Sequence, residues 1–288
     1  MLLERLLRIF YTGGLSMLVG FHMHSTASDG TMKPQDLRAA NAAAGIRVMA
    51  LTDHDTVEGV VELINNPISD IDVVVGCEFS STYNDKDVHI LGYSFDYKNK
   101  EVLDYISFFK ANRLSRIFEM IERCQQNGYD VSKEELLEAF PDTNSLGRPH
   151  LSQLLIKKGY AETTSEVFNT ILDRKSPCYV PKFKAEPNDV IDLIHRAGGI
   201  AVMAHPVLIK SDEDVLELLK LPFDGLEVYH VKQSAELSKH YRKMAVEHNL
   251  LISGGSDYHG ILDKEPLRVG DFLIQSEDVA EFLKAVTE

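Results

Sequence analysis

The sequence predicts an α/β protein, a barrel of about seven or eight strands that alternate with helices and are interrupted once by a helical insertion. Three observations lead to this fold class. From residue 17 onward, short apolar runs alternate with polar loops and amphipathic helical stretches, which is typical of βα units. Between residues 100 and 185, helical signals dominate and convincing strands are scarce. Residues that can bind metal ions recur where the predicted strands end, which is the edge of a βα barrel that carries its active site.

The composition is that of a globular protein with a substantial core, with 44% hydrophobic and 26% charged residues. The 44 acidic residues outnumber the 30 basic residues, and the formal charge of −14 argues against a protein that coats nucleic acid or binds a lipid surface. Three widely spaced cysteines without a CxxC pair predict neither a disulfide framework nor a thiolate zinc site.

The N-terminal stretch does not resemble a signal peptide, because charged residues interrupt its apolar run. No run approaches the roughly 20 apolar residues of a membrane-spanning helix. We therefore expect a cytoplasmic protein that does not associate with membranes. Residues 1–16 are interpreted as an N-terminal extension, either outside the fold or packed on it as a short amphipathic helix. No feature of the sequence predicts an oligomeric state.

Residues 17–99 are predicted to form the first part of the barrel. Pro34 suits the first turn of a helix, Gly45 suits its left-handed end, and the turn-rich segment YNDKD joins two strands. The predicted strands are LVGFHMH, RVMALT, IDVVVGCEF and DVHILGYSF, and the predicted helices are QDLRAANAAA and VEGVVELIN.

Residues 100–185 are predicted to contain four helices. Apolar residues at helical spacing over 114–124 indicate the first, and capping boxes that begin at Ser132 and Thr163 indicate two more. Pro149 suits the first turn of the remaining helix. After residue 186 the βα pattern resumes, with Asn188 as a helix cap, strands IAVMA, GLEVY, LLISGG and RVGDFLI, and a terminal helix that begins at Ser276.

Candidate metal ligands occur at or near the ends of the predicted strands. His22 and His24 close the first strand, and because residues i and i+2 of a strand point to the same face, the pair can share one ion. Imidazoles and carboxylates without thiolates favour manganese, iron or zinc, and nine ligands suffice for about two or three ions. The nine candidates are His22, His24, Asp29, His54, Glu78, His89, His205, Asp257 and His259.

Each of these residues alone also has a structural interpretation, such as a hydrogen-bonded strand-end histidine. Six of the eleven histidines occur at such positions, however, and chance scatter would not produce this pattern. Asp53 and Asp55 flank His54 and could orient imidazoles from outside the ligand set. Glu227 and His230, at the end of GLEVYH, are further candidates for such a role.

Six segments resemble the ordered motifs of the polymerase and histidinol phosphatase (PHP) family: FHMHSTASDGTMKP, ALTDHDTVEG, GCEFS, HILGY, MAHP and GGSDYHG. They lie in residues 17–99 and 186–288, which we interpret as the PHP barrel domain, with residues 100–185 as an inserted substrate cap. The resemblance implies a distorted (β/α)7 barrel with a trinuclear centre, commonly of manganese. It also implies the ligand sets: His22, His24, Glu78 and Asp257 for one ion, Glu78, His89 and His205 for a second, and Asp29, His54 and His259 for a third.

Within the family, the SDGTMKP segment, the insertion and the GRPH motif at residues 147–150 are similar to one branch. That branch removes the 5′-phosphate from nucleoside 3′,5′-bisphosphates or AMP, and its relatives trim short RNA from the 5′ end. The resemblance implies that Arg148 reaches the substrate phosphate, for which a planar guanidinium is suited. His150 is either a substrate contact or a packing residue, and Lys182 is a further candidate for the substrate cleft. The candidate catalytic residues are Arg148, His205 and His259.

We therefore expect a metal-dependent phosphomonoesterase in which a hydroxide held by the ions attacks phosphorus. A histidine or a metal-bound water would supply the proton to the leaving group. The expected substrate is a small nucleotide or a short oligonucleotide, since the acidic charge disfavours long duplex nucleic acid.

Three alternatives remain open. The first is a histidinol-phosphate or phosphotyrosine-protein phosphatase of the same family. The second is an amidohydrolase, which also begins with HxH, but no lysine occupies a predicted strand end. The third is a non-catalytic binding module, which the complete ligand set disfavours.

Overall fold

The computed structural model describes residues 16–288 except residues 69, 142, 144, 262 and 263. The predicted N-terminal extension therefore lies outside the described residues, apart from Ser16. The strands are β1 Leu18–Gly20, β2 Ile46–Leu51, β3 Asp72–Tyr83, β4 Lys86–Tyr93, β5 Ile200–Met203, β6 Gly225–His230, β7 Leu251–Gly255 and β8 Ile274–Gln275. The α-helices are α1 Pro34–Ala43, α2 Glu58–Asn65, α3 Lys100–Gln126, α4 Lys133–Ala139, α5 Arg148–Lys157, α6 Thr164–Asn169, α7 Pro187–Arg196, α8 Asp212–Leu218, α9 Ala235–Glu247 and α10 Ala280–Thr287.

These strands form one eight-stranded sheet in the order β7-β6-β5-β4-β3-β2-β1-β8. Beyond β1 the chain runs beside the end of β7, where the Phe21 amide donates to the Gly254 carbonyl over 3.3 Å. The His24 amide likewise donates to the Tyr258 carbonyl over 2.9 Å. These bonds join the two sides of the sheet into a nearly closed barrel, and the predicted α/β barrel is confirmed.

The barrel is distorted by its fourth strand. β4 is antiparallel to both β3 and β5, whereas the β1–β2, β2–β3, β5–β6 and β6–β7 pairs are parallel. The loop between β3 and β4 has positive φ at Asn84 (47°) and Asp85 (59°), which are residues that tolerate this region and form two-residue hairpin turns. The turn predicted from YNDKD is therefore confirmed, and it turns β4 back along β3.

The structure corrects the sequence prediction in three places. The predicted strand RVGDFLI is regular only at Ile274–Gln275, because the Arg268 amide bonds the Asp271 carboxylate and Gly270 has φ 96°, which together make a turn. The predicted first strand is regular only to Gly20. The cap predicted at Asn188 is wrong, since Pro187 occupies the first turn and Glu186 precedes the helix.

In the described part of residues 100–185 there are four α-helices, as predicted, and the Ser132–Glu135 capping box is present. The 27-residue helix α3 packs into two cores. Near its start, Val102, Ile106 and Phe109 contact the barrel core, and from Ile117 onward its buried residues join a separate core of the insertion. The boundary placed at residue 100 thus falls at the start of a helix that the barrel and the insertion share.

None of the helices in the described part of the chain combines the length and the apolar character needed to cross a membrane.

Candidate metal centre

The nine candidate ligands lie together at one end of the barrel, although they come from positions as far apart as residues 22 and 259. Eight of them contribute imidazole or carboxylate atoms to three groups, within each of which the atoms lie within 4.8 Å of one another. The groups are His22, His24, Glu78 and Asp257; His24, Asp29, His54 and His259; and His54, Glu78 and His89.

Glu78 lies at the centre of the cluster. Its Oε2 is 3.1 Å from His24 Nε2 and 3.0 Å from His54 Nδ1. Its Oε1 is 2.8 Å from His89 Nδ1 and 2.9 Å from His205 Nε2. One carboxylate thus touches ligands of more than one group, which is the geometry of a bridging ligand.

The grouping by distance differs in detail from the sets that the family resemblance implies. The set of His22, His24, Glu78 and Asp257 is the same in both groupings. His205 approaches the group of His54, Glu78 and His89 through Glu78 Oε1. His54 belongs both to that group and to the group that contains Asp29 and His259. His24 also belongs to two groups by distance, since its Nδ1 lies 3.8 Å from Asp29 Oδ1, whereas the resemblance assigns it to one ion.

Buried atoms without hydrogen-bond partners indicate that this cluster is suited to bind cations. Among the described residues, such atoms include His22 Nε2, both ring nitrogens of His24, and Glu78 Oε2. Burying a polar atom without a partner costs free energy, so these atoms indicate a partner that the protein itself does not supply. Imidazole and carboxylate donors without thiolates fit manganese, iron or zinc.

The carboxylates and imidazoles of the cluster strongly shift one another's pKa values. Burial raises the pKa of the Glu78 carboxyl, but the neighbouring His54, His89 and His22 more than offset this and hold the pKa well below its usual range. Burial lowers the pKa of His24, but the adjacent carboxylates of Asp257 and Glu78 more than offset this and raise it to about 9. The cluster therefore favours ionised carboxylates, as metal ligation requires.

Two candidate ligands have unusual backbone conformations. His205 has φ 26° and Asp257 has φ 50°, in the region that non-glycine residues rarely adopt. Such conformations cost about 1–3 kcal/mol each and persist only where the surroundings enforce them, which is common at functional sites.

Glu227 supports two of the candidate ligands from behind. Its side chain is fully buried; Oε1 accepts from His22 Nδ1 over 2.9 Å, and Oε2 accepts from the His205 amide over 2.7 Å. This contact leaves His22 Nε2 directed at Glu78 and Asp257. His230 Nε2 lies 3.5 Å from Asp257 Oδ2. Both residues thus contact candidate ligands without belonging to the set of nine.

Asp53 and Asp55 orient loops rather than imidazoles. Asp53 accepts from the Ser25 amide (2.7 Å) and from the hydroxyls of Ser25 (2.7 Å) and Ser28 (2.6 Å), which shapes the loop that carries Asp29. Asp55 accepts from the amide and the hydroxyl of Ser80.

A cavity of about 570 Å³ opens from the cluster toward the insertion. Asp29, His54, His89 and His205 line its barrel side. Of the described residues, eight basic and three acidic ones line it, although the chain as a whole is strongly acidic. The basic residues are Lys86, Arg113, Arg116, Arg148, Arg174, Lys182, Lys210 and Lys264.

Arg148 and Lys182 line this cavity, and His150 does not. The Arg148 guanidinium lies 4.3 Å from the centre of the Phe168 ring. Lys182 Nζ lies 3.1 Å from Asp87 Oδ1.

His150 is buried, with Nε2 donating to the Ser28 carbonyl over 2.9 Å and Nδ1 accepting from the Gly147 amide over 3.0 Å. Of the two interpretations that the sequence left open for His150, the structure therefore supports packing, because neither ring nitrogen is free to bind a substrate.

Sequence reasoning missed several basic residues of the cavity. Arg113 and Arg116 follow each other at helical i, i+3 spacing, which was the available signal. Arg116 Nη2 is buried and lacks a hydrogen-bond partner among the described residues. Lys264 Nζ reaches within 2.9 Å of His259 Nε2 from a segment beyond β7, and no spacing in the sequence predicts that approach.

The sequence and the fold are similar to those of known proteins. A model of the PHP domain matches residues 20–176. A 5′-3′ exoribonuclease of Haemophilus influenzae is 30% identical over 249 residues, which cover 83% of this chain and 88% of that protein. A 3′,5′-nucleoside bisphosphate phosphatase of Chromobacterium violaceum is 28% identical over 247 residues, covering 84% of this chain and 87% of that protein.

Among solved structures, a Bifidobacterium adolescentis protein assigned as a metal-dependent phosphoesterase superposes with a TM-score of 0.79. It is 29% identical in sequence, and the match covers 92% of this chain and 95% of that one. The family model spans more than half of the chain, and the fold agrees over nearly all of it. The chain therefore belongs to the PHP domain family, and its fold and site are those of a metal-dependent hydrolase.

Proposed function

We propose that the protein is a phosphomonoesterase that removes the 5′-phosphate of nucleotides, namely nucleoside 3′,5′-bisphosphates, AMP and the 5′ ends of short RNA. The observation that carries this proposal is the basic cavity next to the ligand cluster. Eight basic side chains surround a space that reaches four candidate ligands, so an anionic substrate is attracted to the residues that would bind metals.

The proposed ligands are the nine residues predicted from the sequence, and two or three divalent ions, most simply Mn²⁺, match their number and chemistry. When bound, such ions supply a nucleophile from water near neutral pH and stabilise charge on the phosphate oxygens. Glu78 is the proposed bridging residue, and Glu227 holds His22 and the backbone of His205 in place.

Arg148 is the proposed phosphate contact of the insertion. Phe168 packs on the Arg148 guanidinium, and Arg148 Nη1 donates to the Leu172 carbonyl over 3.5 Å. These contacts limit how the group can turn, so its remaining N–H donors stay available to the cavity that it lines. A fixed guanidinium offsets negative charge that develops on the phosphate during hydrolysis.

His205 and His259 are the proposed catalytic histidines besides their roles as ligands. His205 lines the cavity, and its amide is held by Glu227. His259 Nδ1 is 2.7 Å from the Asp257 carbonyl, and Lys264 Nζ lies beside the same ring. Lys182 is proposed to bind substrate together with Arg148, since both line the same cavity around Asp87.

The names of the relatives support a nucleotide substrate, which is RNA for one relative and a mononucleotide for the other. One is named a 5′-3′ exoribonuclease and the other a 3′,5′-nucleoside bisphosphate phosphatase. A substrate common to both has a phosphate on the 5′-oxygen of a nucleotide with a second phosphate group on its 3′ side. The cavity volume of about 570 Å³ lies within the range of small-molecule sites, which favours mononucleotides and short oligonucleotides.

The test is phosphate release from four substrates in parallel: adenosine 3′,5′-bisphosphate, AMP, histidinol phosphate and a phosphotyrosine peptide. Metal-stripped protein is assayed before and after addition of Mn²⁺, Fe²⁺ or Zn²⁺. We expect metal-dependent release that is fastest from the bisphosphate or AMP. Release from only histidinol phosphate or the peptide would overturn the substrate assignment, and no release from any substrate would overturn the proposed reaction.

A further inference from the structure

Two half-exposed phenylalanines stand at the edge of the basic cavity. Phe183 is 49% exposed and lines the cavity, and Phe108 is 47% exposed. Their ring centres lie 4.8 Å apart at an interplanar angle of 81°. Each phenylalanine leaves much of its apolar surface in water, next to a cavity that eight basic residues also line.

The neighbouring contacts hold Phe183 in place. Lys182 and Lys184, on either side of it, pair with Asp87 (3.1 Å) and Asp85 (2.5 Å) on the hairpin between β3 and β4. The phenylalanine between them packs instead against helix α3, with its ring centre 5.6 Å from that of Phe109. The ring is thus fixed before any ligand binds, which lowers the entropic cost of stacking on it.

Phe109 itself is anchored in the barrel. Its ring stacks on Tyr105 at 4.3 Å, and the Tyr105 hydroxyl donates to the Ser80 carbonyl over 3.0 Å. Phe183 is therefore the outermost member of an aromatic row that starts at Tyr105, which bonds strand β3 two residues after Glu78, and ends at the mouth of the cavity.

We propose that Phe183, supported by Phe108 and Phe109, is the surface on which a nucleobase of the substrate stacks. This inference rests on the proposed function and identifies the part of the site that distinguishes a nucleotide from another phosphate ester. Aromatic side chains within a positively charged groove are the combination that binds bases and phosphates of single-stranded nucleic acid. The charge on the cavity walls also disfavours an apolar segment of a partner protein as the occupant.

The natural chain contains no tryptophan, so Phe183→Trp creates a single fluorescent reporter at this position. The variant is mixed with AMP or with ribose 5-phosphate, which carries the same phosphate without a base, and its emission is recorded before turnover. Leu137→Trp is the matched control, since Leu137 is 47% exposed on helix α4 and does not line the cavity. We expect AMP alone to quench the Phe183→Trp variant and neither compound to affect the control. Equal responses of the Phe183→Trp variant to both compounds, or no response, would overturn the proposal.

Kinetics provide the second measurement. Phe183→Ala is expected to raise KM for AMP by about 5- to 150-fold, which corresponds to the loss of one stacked base. KM for ribose 5-phosphate should stay within about twofold, Phe183→Tyr should restore KM for AMP, and Leu137→Ala should leave both unchanged. An equal loss on both substrates would contradict the stacking role. If the wild type hydrolyses neither compound nor adenosine 3′,5′-bisphosphate, the proposed function fails by itself, and the fluorescence titration still decides whether the base stacks.

Discussion

Arg113 of the insertion forms an ion pair with Asp55, the residue that follows the candidate ligand His54. Arg113 Nε and Nη2 lie 2.9 Å and 2.7 Å from Asp55 Oδ2, and Nη2 also donates to the Ser80 hydroxyl over 3.0 Å. The Asp55 side chain is fully buried, and its backbone has φ 48°. Helix α3 therefore contacts the loop that carries His54 and strand β3, which carries Glu78, and the insertion is coupled to the candidate metal centre.

Replacing Arg113 by methionine should weaken both the fold and the metal centre. The substitution leaves the Asp55 carboxylate buried without its counter-charge, which typically costs about 3–5 kcal/mol of unfolding free energy. Urea unfolding and Mn²⁺ titration measure the two effects. Lys110→Met is the control, because Lys110 lies on the same helix as Arg113 and its exposed pair with Glu58 of helix α2 (3.5 Å) is worth about 1 kcal/mol or less. A double variant that also carries Asp55→Asn should recover part of the loss, and no recovery would contradict the electrostatic coupling.

Glu78→Gln should abolish phosphate release while the protein remains folded. The change keeps the size of the side chain but removes the charge that contacts His24, His54, His89 and His205. Circular dichroism checks the fold, and elemental analysis of the purified protein checks the bound metal. We expect His24→Ala to behave in the same way. Wild-type turnover in either variant would disprove the assignment of the ligands.

Glu227→Gln should weaken metal binding, although Glu227 is not one of the candidate metal ligands. Glutamate accepts from both His22 Nδ1 and the His205 amide, whereas glutamine has one acceptor oxygen and leaves one of these donors unpaired. Loss of such an outer hydrogen bond typically costs about 10- to 100-fold in metal affinity. Mn²⁺ titration measures the loss, and Glu101→Gln, which alters an exposed pair with Arg196, serves as the control. Unchanged affinity would show that Glu227 has only a packing role.

Arg148→Lys should reduce kcat/KM by about 10²- to 10³-fold, the effect of removing one well-placed donor to the transition state. Lysine keeps the positive charge but loses the planar group that packs on Phe168 and the fork that matches phosphate oxygens. Mn²⁺ affinity should not change, because Arg148 is not among the candidate ligands. The exposed Arg196→Lys is a suitable control. A variant with wild-type kcat/KM would exclude Arg148 from the reaction.

Local sequence signals predicted most of the fold because they reflect local physics. The end of helix α1 just before Gly45 and the capping box at Ser132 depend on backbone geometry within one turn of the chain. The nine candidate ligands could be predicted together because the ends of barrel strands converge at one edge. The strand predicted over RVGDFLI failed since apolar content does not reveal the turn that Gly270 and Asp271 make.

Long-range contacts account for what the sequence did not predict. The pair between Arg113 and Asp55 joins residues 58 positions apart, and Lys264 reaches His259 from an irregular segment. The role of His150 also depended on distant partners, because its ring bonds the Ser28 carbonyl of the barrel. Such contacts arise from the packing of distant segments of the chain on one another, and neither periodicity nor spacing encodes them.

Metal binding should release protons at neutral pH. In the metal-free protein, burial lowers the pKa of His24, but Asp257 and Glu78 more than offset this and raise it to about 9, so the ring is protonated at pH 7. A histidine must be neutral to ligate a metal, so an incoming ion competes with this proton, and Mn²⁺ affinity should rise about tenfold per pH unit for each proton released. The contribution of His24 to this rise should end near pH 9, above which the ring is already neutral before the metal binds. Calorimetric titrations in HEPES and in Tris, whose ionisation enthalpies differ, count the protons directly. Equal enthalpies in the two buffers, together with an affinity independent of pH, would mean that His24 is already neutral and that the carboxylates do not hold a proton on it.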